Sequence, residues 1–128
     1  MKEHGRYQIE LQDRVVIVRF FDAWNEETSR RMCAEFLQVA STIADKPWAC
    51  LVDLVHWGLG GPEVMAPIIE VNNWCTENNQ AMEAVVCTVK LQEVLLRELQ
   101  KALPKTESQF FETESEARAW LRDAGYRV

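Results

Sequence analysis

Trp48-Ala49-Cys50-Leu51-Val52-Asp53 runs into Leu54-Val55-His56-Trp57 and then Gly60-Gly61-Pro62. The first six residues carry almost no polar alternation, which is the pattern of a strand covered on both faces in a parallel sheet. The carboxylate of Asp53 ends the run. Pro62 after two glycines is suited to the first turn of a helix, where its missing N–H costs nothing. A buried strand leading into a helix is the repeating unit of an α/β sheet, and such sheets present functional side chains at the carboxyl ends of their strands. The Asp53 junction is therefore where a working surface is expected.

The flanking sequence continues the alternation. Upstream, Tyr7, Ile9 and Leu11 alternate with polar residues, Gln12-Asp13-Arg14 makes a turn, and Val15-Val16-Ile17-Val18-Arg19-Phe20 is a β-branched run, which together predict a hairpin. Asn25 is a helix cap followed by Glu26 and Glu27, and Met32, Phe36, Val39 and Ile43 recur at helical spacing until Lys46-Pro47. Downstream, Val64, Met65, Ile68 and Ile69 predict a second helix that Pro67 should kink or delay. Asn78-Asn79 closes it. Ala84 to Val89 reads as another buried strand, and Leu91, Val94, Leu95, Leu99 and Ala102 mark a helix that Pro104 stops. A short strand over Ser108 to Phe111 precedes Thr113-Glu114-Ser115-Glu116, a capping box, and a last helix before Gly125. The expected fold is α/β in the order ββαβαβαβα. An N-terminal β-hairpin leads into a mostly parallel sheet flanked by helices, within one domain spanning 1–128.

Composition narrows the function. With 48% hydrophobic and 27% charged residues the 128-residue chain can bury a core without disulfides, and no apolar run approaches the roughly 18 residues of a membrane span. A net charge of -6 with scattered Lys and Arg argues against a nucleic-acid partner. Met1-Lys2-Glu3-His4-Gly5 lacks the apolar core of a secretory leader, so a cytoplasmic location is expected. Cys33, Cys50, Cys75 and Cys87 are widely separated, with no C-x-x-C and no histidine pair, and read as small core residues.

The loops after the parallel strands should share one edge and gather Asp22, Trp24, Asp53, Leu54, His56, Trp57 and Lys90. Asp53 and His56 lie three residues apart, a spacing that allows an acid–base pair, but no nucleophilic Ser or Thr is near. Asp22, Asp53 and His56 are chemically able to hold a metal, yet nothing in their spacing specifies one; neither metal nor cofactor is expected. A phosphoryl-accepting receiver needs an acid pair after an earlier strand, and Phe20-Phe21-Asp22-Ala23 supplies one acid. A capping role for Asp53 is the simpler reading. Trp24 and Trp57 fall in loops, where each ring alone is more readily tucked back onto the core than used at an interface; both at one edge beside Leu54, Val55 and Leu59 suggest an apolar patch of the kind that marks a partner site. Met65, Ile68 and Ile69 beside Gly60-Gly61 suggest the border of a pocket for an apolar small molecule.

The initial hairpin, the apolar central strand ending in Asp53 and the terminal Glu114-Ser115-Glu116-Ala117-Arg118-Ala119-Trp120-Leu121 helix resemble the SpoIIAA-like proteins related to STAS domains, over roughly Tyr7 to Tyr126. STAS anti-sigma factor antagonists bind a switch kinase and are controlled by phosphorylation of a Ser or Thr directly after the strand-ending Asp. Asp53 matches that Asp, whereas Leu54 stands at the hydroxyl position and no Ser or Thr occurs from Ile43 to Cys75. The resemblance implies a non-catalytic regulatory module that binds another protein, without this phosphorylation switch. Its likeness to lipid-carrier architectures keeps an apolar small molecule or lipid, held near residues 54–69, as the alternative. A homodimer is compatible with either reading.

Overall fold

The computed structural model describes residues 5–128; residues 1–4, within the stretch read for a secretory leader, lie outside the described residues. Five strands form one sheet in the order β1-β2-β3-β4-β5, antiparallel between the first two and parallel thereafter. The strands are β1 Arg6–Gln12, β2 Val15–Asp22, β3 Trp48–Trp57, β4 Gln80–Val86 and β5 Glu107–Phe111. The helices are α1 Glu26–Ser41, α2 Pro62–Glu77, α3 Lys90–Leu99, extended by a 3-10 turn over Gln100–Ala102, and α4 Glu114–Asp123. The order is the ββαβαβαβα of the sequence patterns.

Alternation along the strands divides the core in two. Val16, Val18, Cys50, Val52 and Leu54 pack with Met32, Phe36, Val64 and Leu96, so α1, α2 and α3 cover one face. Val15, Ile17, Leu51 and Ala84 pack with Ala117 and Leu121, so α4 covers the other. β3 is therefore buried on both sides, as its lack of polar residues requires. All four cysteines are free and buried. Asp13, at φ 52, takes the left-handed turn between β1 and β2, a conformation that Asp tolerates. Its neighbour Arg14 then donates to Pro47 O at 2.9 Å and Lys46 O at 2.7 Å, tying this turn to the start of β3.

Three boundaries differ from the sequence reading. β3 does not stop at Asp53 but runs to Trp57, pairing Phe21 with His56 and Asp22 with Trp57. β4 starts at Gln80 and ends at Val86, so Cys87 to Val89 form a loop with Val89 as the cap of α3. α2 begins at Pro62 and is continuous through Pro67, without a delayed start. An interior proline costs on the order of 3 kcal/mol. Burial of Val64, Val71 and Cys75 on either side of Pro67 offsets this, at about 1.5–3 kcal/mol for each large apolar side chain.

Candidate functional site at the carboxyl end of the sheet

The late part of β3 carries a bulge. Arg19 pairs with Asp53 and Phe21 with His56, so two steps on β2 match three on β3. Strict alternation after Leu54 would turn His56 into the core and Trp57 out of it; the extra residue reverses both. His56 is exposed and stacks on Phe21 at 5.9 Å, while Trp57 is 4% exposed. Asp53 holds this bulge by accepting from Val55 N–H at 3.0 Å. The carboxyl that adjoins it is that of Glu114, which raises its pKa.

Two backbone straps join the loops after β2 and β3. Gly58 N–H donates to Asp22 O and Trp24 N–H to Leu59 O, each at 2.9 Å. Asp22 and Leu59 both take left-handed conformations, φ 62 and φ 69. Unlike Asp13 in its hairpin and Asn79 after α2, neither occupies an ordinary turn or cap position, and Leu pays a steric cost there. Gly60 is required at the same place, since a Cβ would fall 2.5 Å from Val64 Cγ2.

The tryptophans expected as a surface patch lie beneath this strap. Trp24 is 5% exposed and stacks on Phe20 at 4.2 Å, Trp57 meets Phe20 edge-on at 5.0 Å, and Leu54 is fully buried. Trp24 Nε1 donates to Phe21 O at 3.1 Å and Arg6 O at 3.2 Å. The bulge and the inward straps thus convert Trp24, Leu54 and Trp57 into the floor of the edge, and no apolar patch made from them reaches solvent. Exposed at this end are Asp22, His56, Lys90 and a run of aliphatic groups on the α3 side, Val89, Leu91 and Val94, with Leu91 61% exposed.

Asp53 also belongs to a charged cluster with residues that the sequence did not single out. Arg19 forks onto Glu114 at 2.8 and 3.0 Å and reaches Glu10 at 3.1 Å, and Arg118 lies 3.6 Å from Glu114. The Arg19 fork holds the Glu114 carboxyl down at about 2, whereas desolvation and the adjoining Glu114 push Asp53 from 3.8 up to about 6. Arg19 and Glu114 stand 95 residues apart, so no local spacing could have revealed the pair.

Of the residues proposed to border a pocket, Ile68 lines a core cavity of about 60 Å³ together with Val52, Trp57, Val71 and Glu83. Met65 packs against the core cluster without lining this cavity, and Ile69 faces outward, 42% exposed. Burial raises the Glu83 carboxyl, which accepts from Gln100 Nε2 at 2.9 Å. Trp57 Nε1 is buried and finds no acceptor among the described residues. Among those residues, no group of three or more His, Cys, Asp or Glu is placed to hold a metal ion, and no helix is long and apolar enough to cross a membrane.

Two solved structures share this architecture. An uncharacterized DUF3478-family protein with a SpoIIAA-like fold from Shewanella loihica superposes with a TM-score of 0.72 at 18% identity, over 94% of this chain and 96% of the other. An anti-sigma factor antagonist from Mycobacterium paratuberculosis superposes with a TM-score of 0.60 at 17% identity, with the same coverage of 94% and 96%. The chain therefore has a SpoIIAA-like fold. No protein-family model matches it, and no curated protein matches it.

Proposed function

We propose that this chain is a single-domain, non-catalytic regulatory module of the cytoplasm that binds another protein through the carboxyl end of its parallel sheet. The observation that carries this reading is the pairing of strain with exposure there. Leu59 holds a strained left-handed conformation in the loop strapped to the end of β2, where Asp22 takes the same conformation at less cost, and beside them His56, Val89 and Leu91 stand in solvent. Backbone strain persists where surrounding structure over-determines it, and it concentrates at functional positions. The shared fold with an anti-sigma factor antagonist supports the class of function. Control would differ from phosphorylation after Asp53, because Leu54 is buried inside β3.

Wild-type protein used as bait in native lysate is expected to retain a selective partner that His56→Ala and Leu91→Asp baits lose at unchanged melting temperature. Equal capture by all three would refute this surface. Trp57→Ala is unsuitable as a surface probe, since its ring is core.

The second reading, binding of an apolar small molecule, is favoured by the largely apolar cavity at Ile68 and by Trp57 Nε1, which has no acceptor among the described residues. At about 60 Å³ the cavity is well below the ~300–1,000 Å³ of ordinary ligand sites, so occupancy would require it to open. A non-covalent adduct in native mass spectra, lost on denaturation and on Ile68→Trp, is the result this reading requires.

A further inference from the structure

We propose that the outer edge of β5 is a docking strand for an extended segment of a partner protein, one carrying basic side chains on the face turned toward α4. This rests on the protein-binding reading above and names the partner's chemistry. β5 is the last strand of the sheet, and no strand among the described residues pairs with its outer side. Cys87 N–H donates to Phe111 O at 3.0 Å, which fixes the phase of the parallel ladder. Phe111, Gln109 and Glu107 turn their backbone groups to β4, and the alternation leaves those of Ser108 and Phe110 directed outward. Exposed edges are commonly blunted by lysine, proline or a bulge. β5 has none of these, since Glu-Ser-Gln-Phe-Phe pairs with β4 in unbroken register. The opposite edge, β1, instead bears Arg6 and Glu10, both held in ion pairs.

The surroundings of β5 fit an added strand. A groove of about 910 Å³ runs beside Ser108 to Glu112, with α3 on one wall and the start of α4 on the other. Half-buried rings flank the edge on both faces: Phe110 lies under Arg97 at 4.7 Å, and Phe111 packs on Trp120 at 5.5 Å. Peptides that extend a sheet gain affinity from main-chain hydrogen bonds and specificity from pockets for alternate side chains, and the two faces supply both.

Charge selects the occupant. On the α3 wall, Lys90 and Arg97 are both met by Glu93, at 3.5 and 2.7 Å. On the α4 side, Glu112 and Glu116 are exposed, and Glu107 shares the face of Phe111 by alternation. An extended segment with Lys or Arg at every second position matches that face. A second copy of this chain would bring Glu107 and Glu112, within a net charge of -6, against like charges.

The test uses the full chain and synthetic seven-residue peptides of alternating Lys and Val, or alternating Glu and Val, followed by NMR. The Lys–Val peptide is expected to bind and to protect the Ser108 and Phe110 amides from exchange. Ser108→Pro, which removes an outward N–H and no bond to β4, should weaken it at least ten-fold at retained fold. Should that variant fail to fold, Glu112→Lys serves instead, weakening the Lys–Val peptide and strengthening the Glu–Val peptide. Binding that shifts other surfaces, or that ignores both substitutions, overturns the proposal. So does self-association through β5 that Ser108→Pro abolishes, which would assign the edge to a second copy. A partner lost on Leu91→Asp, with no peptide bound at β5, would leave the sheet-end surface standing and remove only this edge.

Discussion

At the scale of single residues, Asp53 shows how one side chain is set by two environments. Its carboxylate caps the β3 bulge through Val55 N–H, and it also adjoins Glu114, which Arg19 keeps ionised. Because the folded protein raises Asp53 from 3.8 to about 6, its contribution to stability is present below its ordinary value and is lost as pH rises through about 6. Glu114 has the opposite sign: held at about 2, it contributes above its ordinary 4.5 and loses that contribution as pH falls toward about 2. Asp53→Asn keeps the acceptor for Val55 and removes the charge. The variant should melt higher than wild type at pH 7.5, with the gap closing by pH 4.5; equal destabilisation at both pH values would contradict the carboxyl pairing. Trp57 tests the bulge from the other side. Its truncation to Ala is expected to cost about 3–5 kcal/mol in urea unfolding, as for a large core ring, whereas a surface residue would cost little. From its place after an apolar run Asp53 reads as a cap of the following loop or helix; its side chain does bond a nearby backbone N–H, but inside β3, at the bulge. That Trp57 turns inward is one of two readings its place allows; the bulge that turns it was not legible, because a bulge is a register event between β2 and β3 and leaves no mark on either strand alone.

At the scale of elements, caps and apolar periodicity located most boundaries. Asn25 accepts from Thr28 N–H at 3.2 Å, and Thr113 accepts from Glu116 N–H at 3.2 Å, the first half of the capping box; the Glu116 carboxylate accepts from the Thr113 hydroxyl at 2.9 Å. Among the described residues α4 is the one helix on its face of the sheet over Ile17 and Leu51, joined there by Tyr126 and Val128, so its start matters more than that of a redundant helix. Thr113→Ala is expected to lower stability by about 1 kcal/mol, seen as a lower urea midpoint at unchanged slope. An unchanged midpoint would mean that the Arg19–Glu114 fork suffices to seat the helix. Where the boundary readings failed, tertiary pairing had overridden local signals. β3 was extended past Asp53 by the end of β2, and Pro67 was accommodated because Val64, Val71 and Cys75 bury the helix on both sides of it.

At the scale of the whole molecule, three parallel βαβ units, stepping across the sheet in one direction, place α1, α2 and α3 on one face, and the final helix closes the other. The loops after β2, β3 and β4 consequently share one end, which was legible from topology, while the residues that reach solvent there were only partly so. Asp22 and His56 were foreseen on that edge and are exposed; Trp24, Leu54 and Trp57 were foreseen beside them and form its floor. In the sequence Val89 reads as the end of a buried strand and Leu91 and Val94 as an ordinary helix face, and the exposure of all three depends on where α3 starts and sits against the sheet. The most direct measurement is amide hydrogen exchange on the protein alone and bound to its captured partner. Protection concentrated over residues 22–24, 56–61 and 88–94 is the expected result. Protection confined to the outer faces of α1 and α2, with those segments unchanged, would contradict the assignment of the sheet's carboxyl end as the binding surface.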